Sequence, residues 1–184
     1  MAAWLAALAT FLFCAFLALF PALVGALQAR WRVSPTLRVL GVMPLLWGVT
    51  EWVRSWIFTG FPWLLMGYSQ VPASPLAGYA PVVGVYGVSY LLALIAALLA
   101  WGLTERGRQA PRAWSFVAIV AIGIGGPAMR GIAWTTPDGA PTTVALLQGN
   151  IPQDMKWQPE KTQATLEIYA RMAAASPAQL IVLP

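Results

Sequence analysis

The chain begins with MAAWLAALATFLFCAFLALFPALVGALQA (residues 1–29), a run that contains no charged side chain. A helix needs about 20 apolar residues to cross the hydrocarbon core of a bilayer. The run is longer than that, and it lacks the basic start of a signal peptide. It therefore predicts a first membrane-spanning helix over about residues 4–28.

The whole chain has the composition of a membrane protein. Of its 184 residues, 59% are hydrophobic and 9% are charged, whereas soluble domains carry about 25% charged residues. The net charge of +5 does not indicate a nucleic-acid surface, because the basic residues are scattered between apolar runs. The chain has no histidine, and its single cysteine, Cys14, lies in an apolar run. We therefore expect no metal site, and a packing role for Cys14.

Three further apolar stretches predict spans over about residues 39–58, 81–102 and 113–130. The connectors after the first and third spans carry arginines, and the connector after the second span is uncharged. These arginines are Arg30, Arg32, Arg38, Arg106, Arg108 and Arg112. Such alternation follows the positive-inside bias. It predicts that both basic connectors are cytoplasmic and that the C-terminal part is on the outer side.

The composition changes after Met129, and residues 134–143 form a linker rich in Pro, Gly and Thr. Residues 143–147 and 180–183 are typical of short buried strands, and residues 160–175 have helical spacing. The predicted fold is a polytopic α-helical membrane bundle over residues 1–133, followed by the first β-α-β unit of an α/β domain over residues 134–184. One such unit cannot cover both faces of its sheet. We therefore expect the chain to be part of a longer protein.

Two charged residues of the second span, Glu51 and Arg54, share one face of the predicted helix. A charge at membrane depth costs about 3 kcal/mol unless it is paired or faces a cavity. The pair is either a polar lining for a substrate cleft or a helix-end pair that ties the helix to the following loop. Both interpretations stay open, because an interfacial position does not exclude a cleft.

Two uncharged loops are further candidates. Residues 60–70 (GFPWLLMGYSQ) form either an interfacial anchor or a re-entrant loop that holds an acyl chain. Residues 148–153 (QGNIPQ) follow the predicted strand at residues 143–147. Ligands of open α/β sheets bind at the carboxyl ends of strands, although an ordinary strand-to-helix turn has the same pattern. No nucleophile is paired with a base anywhere in the sequence.

Three segments together resemble the apolipoprotein N-acyltransferase family. They are TEWVRSWIFTGFPWLLMGYSQ at residues 50–70, LLQGNIPQDMKW at 146–157 and LIVLP at 180–184. The resemblance extends from about residue 39 onward, whereas the first span is similar only in being hydrophobic. It implies a membrane bundle that carries a periplasmic nitrilase-like domain of the carbon–nitrogen hydrolase superfamily.

The resemblance also implies an activity. The family moves a fatty acyl chain from a phospholipid to the N-terminal S-diacylglyceryl-cysteine of apolipoproteins through a thioester on a catalytic Cys, assisted by a Glu base and a Lys. The family's Glu would be the residue after Pro184, and the Lys and Cys lie further on. We therefore expect no catalytic residue within this chain, a polypeptide that is inactive alone, and truncation at both ends.

The substrate-facing residues that the resemblance carries over are Trp63, Trp157, Glu51, Arg54 and Gln153. Trp157 matches a tryptophan over the active site, and Trp63 matches one near the acyl-chain entrance. The implied partners are a phospholipid acyl donor, a diacylglyceryl apolipoprotein acceptor and membrane lipid, with no cofactor and no nucleic acid. The implied location is the bacterial inner membrane, with multiple spans and a periplasmic C-terminal domain.

Two alternatives remain at this point. A complete small membrane scaffold or transporter-like protein would need a finished C-terminal domain, which the strand at residues 180–183 does not provide. An amidase-like nitrilase domain tethered to the membrane would need neither the aromatic loop nor the segment around Trp157.

Overall fold

The computed structural model describes residues 2–104, 109–152 and 158–184; of residues 109–111 it describes the backbone only. The chain divides into two units, Met1–Trp134 and Thr135–Pro184, which are described separately. The elements of the first unit are α1 (Ala3–Arg30), α2 (Pro35–Leu37), a π-helical segment (Arg38–Val42), α3 (Met43–Arg54), α4 (Ala80–Thr104), α5 (Gln109–Arg130) and 3₁₀ helices at Ile57–Thr59, Met66–Gln70 and Pro75–Tyr79.

Among the described residues, three helices are long and apolar enough to cross a membrane: Ala3–Arg30, Pro75–Thr104 and Arg112–Arg130. They correspond to the first, third and fourth predicted spans. The first two of these helices are rich in Leu and Ala, which favour the helical backbone, whereas the third contains Ala and no Leu. The chain is therefore a membrane protein by the length and apolarity of its helices.

The second predicted span differs from the structure at its C-terminal end. The prediction extended to residue 58, but α3 ends at Arg54. The N–H of Ser55 bonds back to the carbonyls of the last turn, and Phe58 has a φ of 51°, which a right-handed helix does not allow. The helix is thus shorter than predicted, and a membrane crossing by residues 39–58 stays a prediction.

An apolar core cluster of the first unit joins α1 to the π-helical segment and α3. It consists of Val24, Val42 and Leu46, with Leu27 and Val33 packed against it. Large apolar side chains elsewhere are exposed, as in Phe11 and Trp114. Such surfaces suit a helix bundle in lipid, because the acyl chains are as apolar as the side chains.

Close backbone contact joins α5 to the 3₁₀ helix Pro75–Tyr79. A Cβ atom at Gly126 would overlap the carbonyl of Pro75, and one at Gly78 would overlap the carbonyl of Gly126. The Tyr79 hydroxyl donates to the Ile122 carbonyl over 2.9 Å. Small residues let membrane helices approach in this way, so glycine is required at this crossing.

The second unit contains β1 (Val144–Leu146), α6 (Pro159–Ala174) and β2 (Leu180–Val182). The strands are parallel, with Val144 opposite Leu180. Pro159 and Glu160 begin α6, and Arg171 lies in its last turn, which suits the helix dipole. The predicted strand-helix-strand order is confirmed, with bounds within one residue, and its nitrilase-like character stays a prediction.

Candidate functional site

The carboxyl group of Glu51 connects α3 to the loop that follows this helix. Glu51 is on the last turns of α3 and is 5% exposed. Its Oε1 accepts hydrogen bonds from the Trp47 indole N–H over 3.2 Å and from the Met66 backbone N–H over 3.0 Å. Its Oε2 is buried without a partner in the protein. A buried oxygen of this kind is available to a ligand or a water molecule.

Arg54 lies one turn further along α3, and it also contacts the loop after the helix. Its Nη2 donates to the Leu64 carbonyl over 3.5 Å, at the limit of a hydrogen bond. Among the described residues, the structure records no ion pair between Arg54 and Glu51. The two residues that the sequence places on one helix face therefore reach separate points of the loop, Leu64 and Met66.

The loop that carries Trp63 has an unusual backbone. Phe58, Thr59 and Leu64 have φ values of 51°, 77° and 60°, which are rare for residues with a side chain. Gly60 has a φ of 86°, and a Cβ there would overlap the Ser55 carbonyl. Residues held in such regions cluster at functional sites.

Aromatic contacts connect this loop to α1, and its tip is exposed. The ring centroids of Phe61 and Phe13 are 5.0 Å apart, and those of Phe58 and Phe16 are 6.1 Å apart. Trp63 is 68% exposed. The indole of Trp63 is therefore presented at the surface of the first unit.

A second helix fixes the other end of the loop. Ser89 on α4 is fully buried, and its hydroxyl oxygen accepts the Gly67 N–H over 2.8 Å. Met66 and Gly67 are the first two residues of the 3₁₀ helix Met66–Gln70. Their N–H groups have no partner within that helix, so Glu51 and Ser89 supply the missing acceptors.

Two neighbouring cavities have a wall in common. One, of about 200 Å³, is lined by Thr50, Glu51 and Arg54 together with apolar residues of α1. The other, of about 410 Å³, is almost wholly apolar, and α4 contributes only alanines to it. Trp47 and Met66 line both cavities. A polar cavity beside an apolar one can accommodate an amphipathic molecule.

The second unit has a cavity of about 390 Å³ at the carboxyl ends of β1 and β2. It is lined by polar and apolar side chains, among them Gln148, Asn150 and Tyr169. The Gly149 N–H donates to the Tyr169 hydroxyl over 3.2 Å, and Asn150 has a φ of 49°. This is the position at which open α/β sheets bind ligands.

The sequence prediction covers only some of these residues. Gln153 and Trp157 lie outside the described residues. Trp47 was missed although it lies four residues before Glu51, a spacing that brings side chains together on a helix. Ser89 has no signal in the sequence, because nothing local marks it as a partner of Gly67.

Within residues 2–104, 109–152 and 158–184, no group of three or more His, Cys, Asp or Glu side chains could hold a metal ion.

Residues 1–98 match the family model described as the apolipoprotein N-acyltransferase N-terminal domain. The match includes the first span, for which the sequence motifs had shown only hydrophobicity. Beyond residue 98 the chain continues to align with relatives that carry the same name.

Three of the relatives that carry the name apolipoprotein N-acyltransferase illustrate the similarity. The protein from Nitrosomonas europaea is 53% identical over 181 residues, which is 98% of this chain and 35% of the relative. The protein from Chromobacterium violaceum is 45% identical over 99% of the chain and 35% of the relative. The protein from Ralstonia nicotianae is 45% identical over the whole chain and 35% of the relative.

The chain spans about a third of the length of these relatives. The family match covers more than half of the chain, and the resemblance seen in the three sequence segments is confirmed. The chain therefore belongs to the apolipoprotein N-acyltransferase family.

Proposed function

We propose that this chain forms part of an enzyme that transfers a fatty acyl chain from a phospholipid to the N-terminal S-diacylglyceryl-cysteine of apolipoproteins. The observation that carries the proposal is the alignment of nearly the whole chain with N-acyltransferases at up to 53% identity. The proposed location is the bacterial inner membrane, with residues after 134 in the periplasm. The three apolar helices support a membrane setting.

The proposed contribution of this chain is lipid binding. Both substrates of the proposed reaction are amphipathic, and the polar cavity at Glu51 and Arg54 adjoins an apolar one. A guanidinium suits a phosphate of a lipid headgroup, and an apolar groove suits an acyl chain. Trp63, exposed on the strained loop, and Trp157 and Gln153 complete the proposed substrate-facing set.

The proposed chemistry passes through a thioester, which divides one difficult transfer into two easier steps. The Glu, Lys and Cys that the family resemblance implies for this chemistry are not among these 184 residues. We therefore expect a polypeptide of residues 1–184, assayed alone, to bind lipid and to transfer no acyl chain.

A chimera tests the proposed function. In it, these 184 residues replace the matching third of the Nitrosomonas europaea relative, and transfer of a labelled acyl chain from phospholipid to a diacylglyceryl peptide is measured in membranes. We expect the chimera to retain transfer and its Trp63→Ala variant to lose most of it. The matched control is Trp114→Phe, which changes an exposed aromatic on α5 and should leave transfer unchanged. A chimera that inserts into the membrane and transfers no acyl chain would contradict the proposal.

A further inference from the structure

A single oxygen atom accepts hydrogen bonds from two residues that lie far apart in the sequence. Oε1 of Glu51 accepts from the side chain of Trp47, on its own helix, and from the backbone of Met66, in the loop. Both residues line the wall between the polar and the apolar cavity. Glu51 is therefore hydrogen-bonded to both residues that the two cavities share.

The point at which Glu51 contacts the loop is next to the segment that carries Trp63. Leu65 is 2% exposed, whereas Trp63 and Leu64 are 68% and 83% exposed. The chain thus changes from fixed to exposed within one or two residues of Met66. An anchor at Met66 limits the positions that the Trp63 indole can occupy.

We propose that Glu51 is a positioning residue, whose Oε1 fixes Met66 and Trp47 and thereby orients the loop that presents Trp63. The importance of that orientation for substrate rests on the proposed function. The role requires an acceptor oxygen at the Oε1 position and does not require a negative charge, because Oε2 has no partner in the protein. Glutamine provides such an oxygen at the same reach, and aspartate is one methylene too short.

The mobility of a nitroxide label at residue 64 tests this role in the 184-residue chain in lipid nanodiscs. Cys14 is the only cysteine, so Cys14→Ser gives a background in which Leu64→Cys is the single labelling site. Spectra are compared for the parent background, Glu51→Gln, Glu51→Asp and Glu51→Ala. Thr50→Val is the matched control, because the Thr50 hydroxyl bonds only within its own helix, to the Trp47 carbonyl.

We expect the parent, Glu51→Gln and Thr50→Val to share a slow spectral component, and Glu51→Asp and Glu51→Ala to lose it. If Glu51→Gln is as mobile as Glu51→Asp, a neutral acceptor oxygen at the Oε1 position is not sufficient to fix the loop, and the proposal is overturned. Equal mobility in all variants also overturns it. If Glu51→Ala fails to insert, the Gln and Asp variants still decide the question.

This readout does not depend on acyl transfer. A chimera without activity would contradict the proposed function and leave the label result intact. An active chimera, together with an unchanged label spectrum for Glu51→Asp in the 184-residue chain, would contradict the positioning role alone.

Discussion

The two halves of the segment between α3 and α4 are fastened in different ways. Residues 60–70 are held by side chains that reach their backbone, from Glu51, Arg54 and Ser89. Residues 72–79 are held by backbone packed directly on α5, at Gly126, and by Arg130, whose Nη2 donates to the Pro72 and Ser74 carbonyls over 2.6 Å. Added volume is therefore expected to disturb both halves, at Gly67 as well as at Gly126. The loss of a side-chain acceptor is expected to affect the first half, because Glu51 and Ser89 supply acceptors only there.

The largest effect is expected when volume is added between α5 and residues 72–79. Gly126→Ala places a methyl group on the Pro75 carbonyl, and because backbone yields less than a side chain, we expect a loss of about 2–3 kcal/mol in the free energy of unfolding. Unfolding in mixed micelles measures it. The matched control is Gly123→Ala on the same helix, where a Cβ meets nothing within 4 Å; that variant should gain about 0.5–1 kcal/mol. Equal losses for both would show that the close contact is not important.

A smaller effect is expected when residues 60–70 lose a side-chain acceptor. Ser89→Ala leaves the buried Gly67 N–H without a partner, which costs about 1–2 kcal/mol. Hydrogen exchange of the peptide 65–70 should become faster, while that of α5 stays unchanged. Ser69→Ala is the control, because that exposed hydroxyl bonds to the Met66 carbonyl and the Gln70 side chain, both within its own turn. Unchanged exchange in Ser89→Ala would mean that Ser89 does not fasten the loop.

The smallest effect is expected at the indole of Trp47. Trp47→Phe removes one donor to Glu51 and leaves the Met66 contact in place, so we expect a loss of about 1 kcal/mol in unfolding free energy. Trp52→Phe, in an exposed tryptophan of the same helix, should change it less. If Trp47→Phe costs as much as Ser89→Ala, the two anchors are of equal importance and the expected order is wrong.

Local patterns in the sequence predict the regular elements well. The uncharged run at residues 1–29 predicts α1, and the short apolar runs at residues 143–147 and 180–183 predict both strands. These predictions succeed because length, apolarity and spacing act over a few neighbouring residues. The same local information places Glu51 and Arg54 on one helix face.

Contacts between distant parts of the chain are not predictable in this way. The Glu51–Met66 and Ser89–Gly67 bonds join residues 15 and 22 positions apart, and they depend on how α3 and α4 pack. The end of α3 at Arg54 was also missed, because the apolar stretch continues to residue 58 although Phe58 and Thr59 have positive φ values. Motif resemblance identifies the family, but it does not reveal these hydrogen bonds.

The π-helical segment Arg38–Val42 has a consequence for insertions and deletions. A π turn accommodates one residue more than an α turn. Removing one residue within this segment would let it relax to an α-helix. Glu51 and Arg54 would then keep their orientation relative to α1. Removing one residue between Met43 and Glu51 would rotate both by about 100° relative to α1, since an α-helix has 3.6 residues per turn. Chain length is therefore adjustable before α3 and constrained within it.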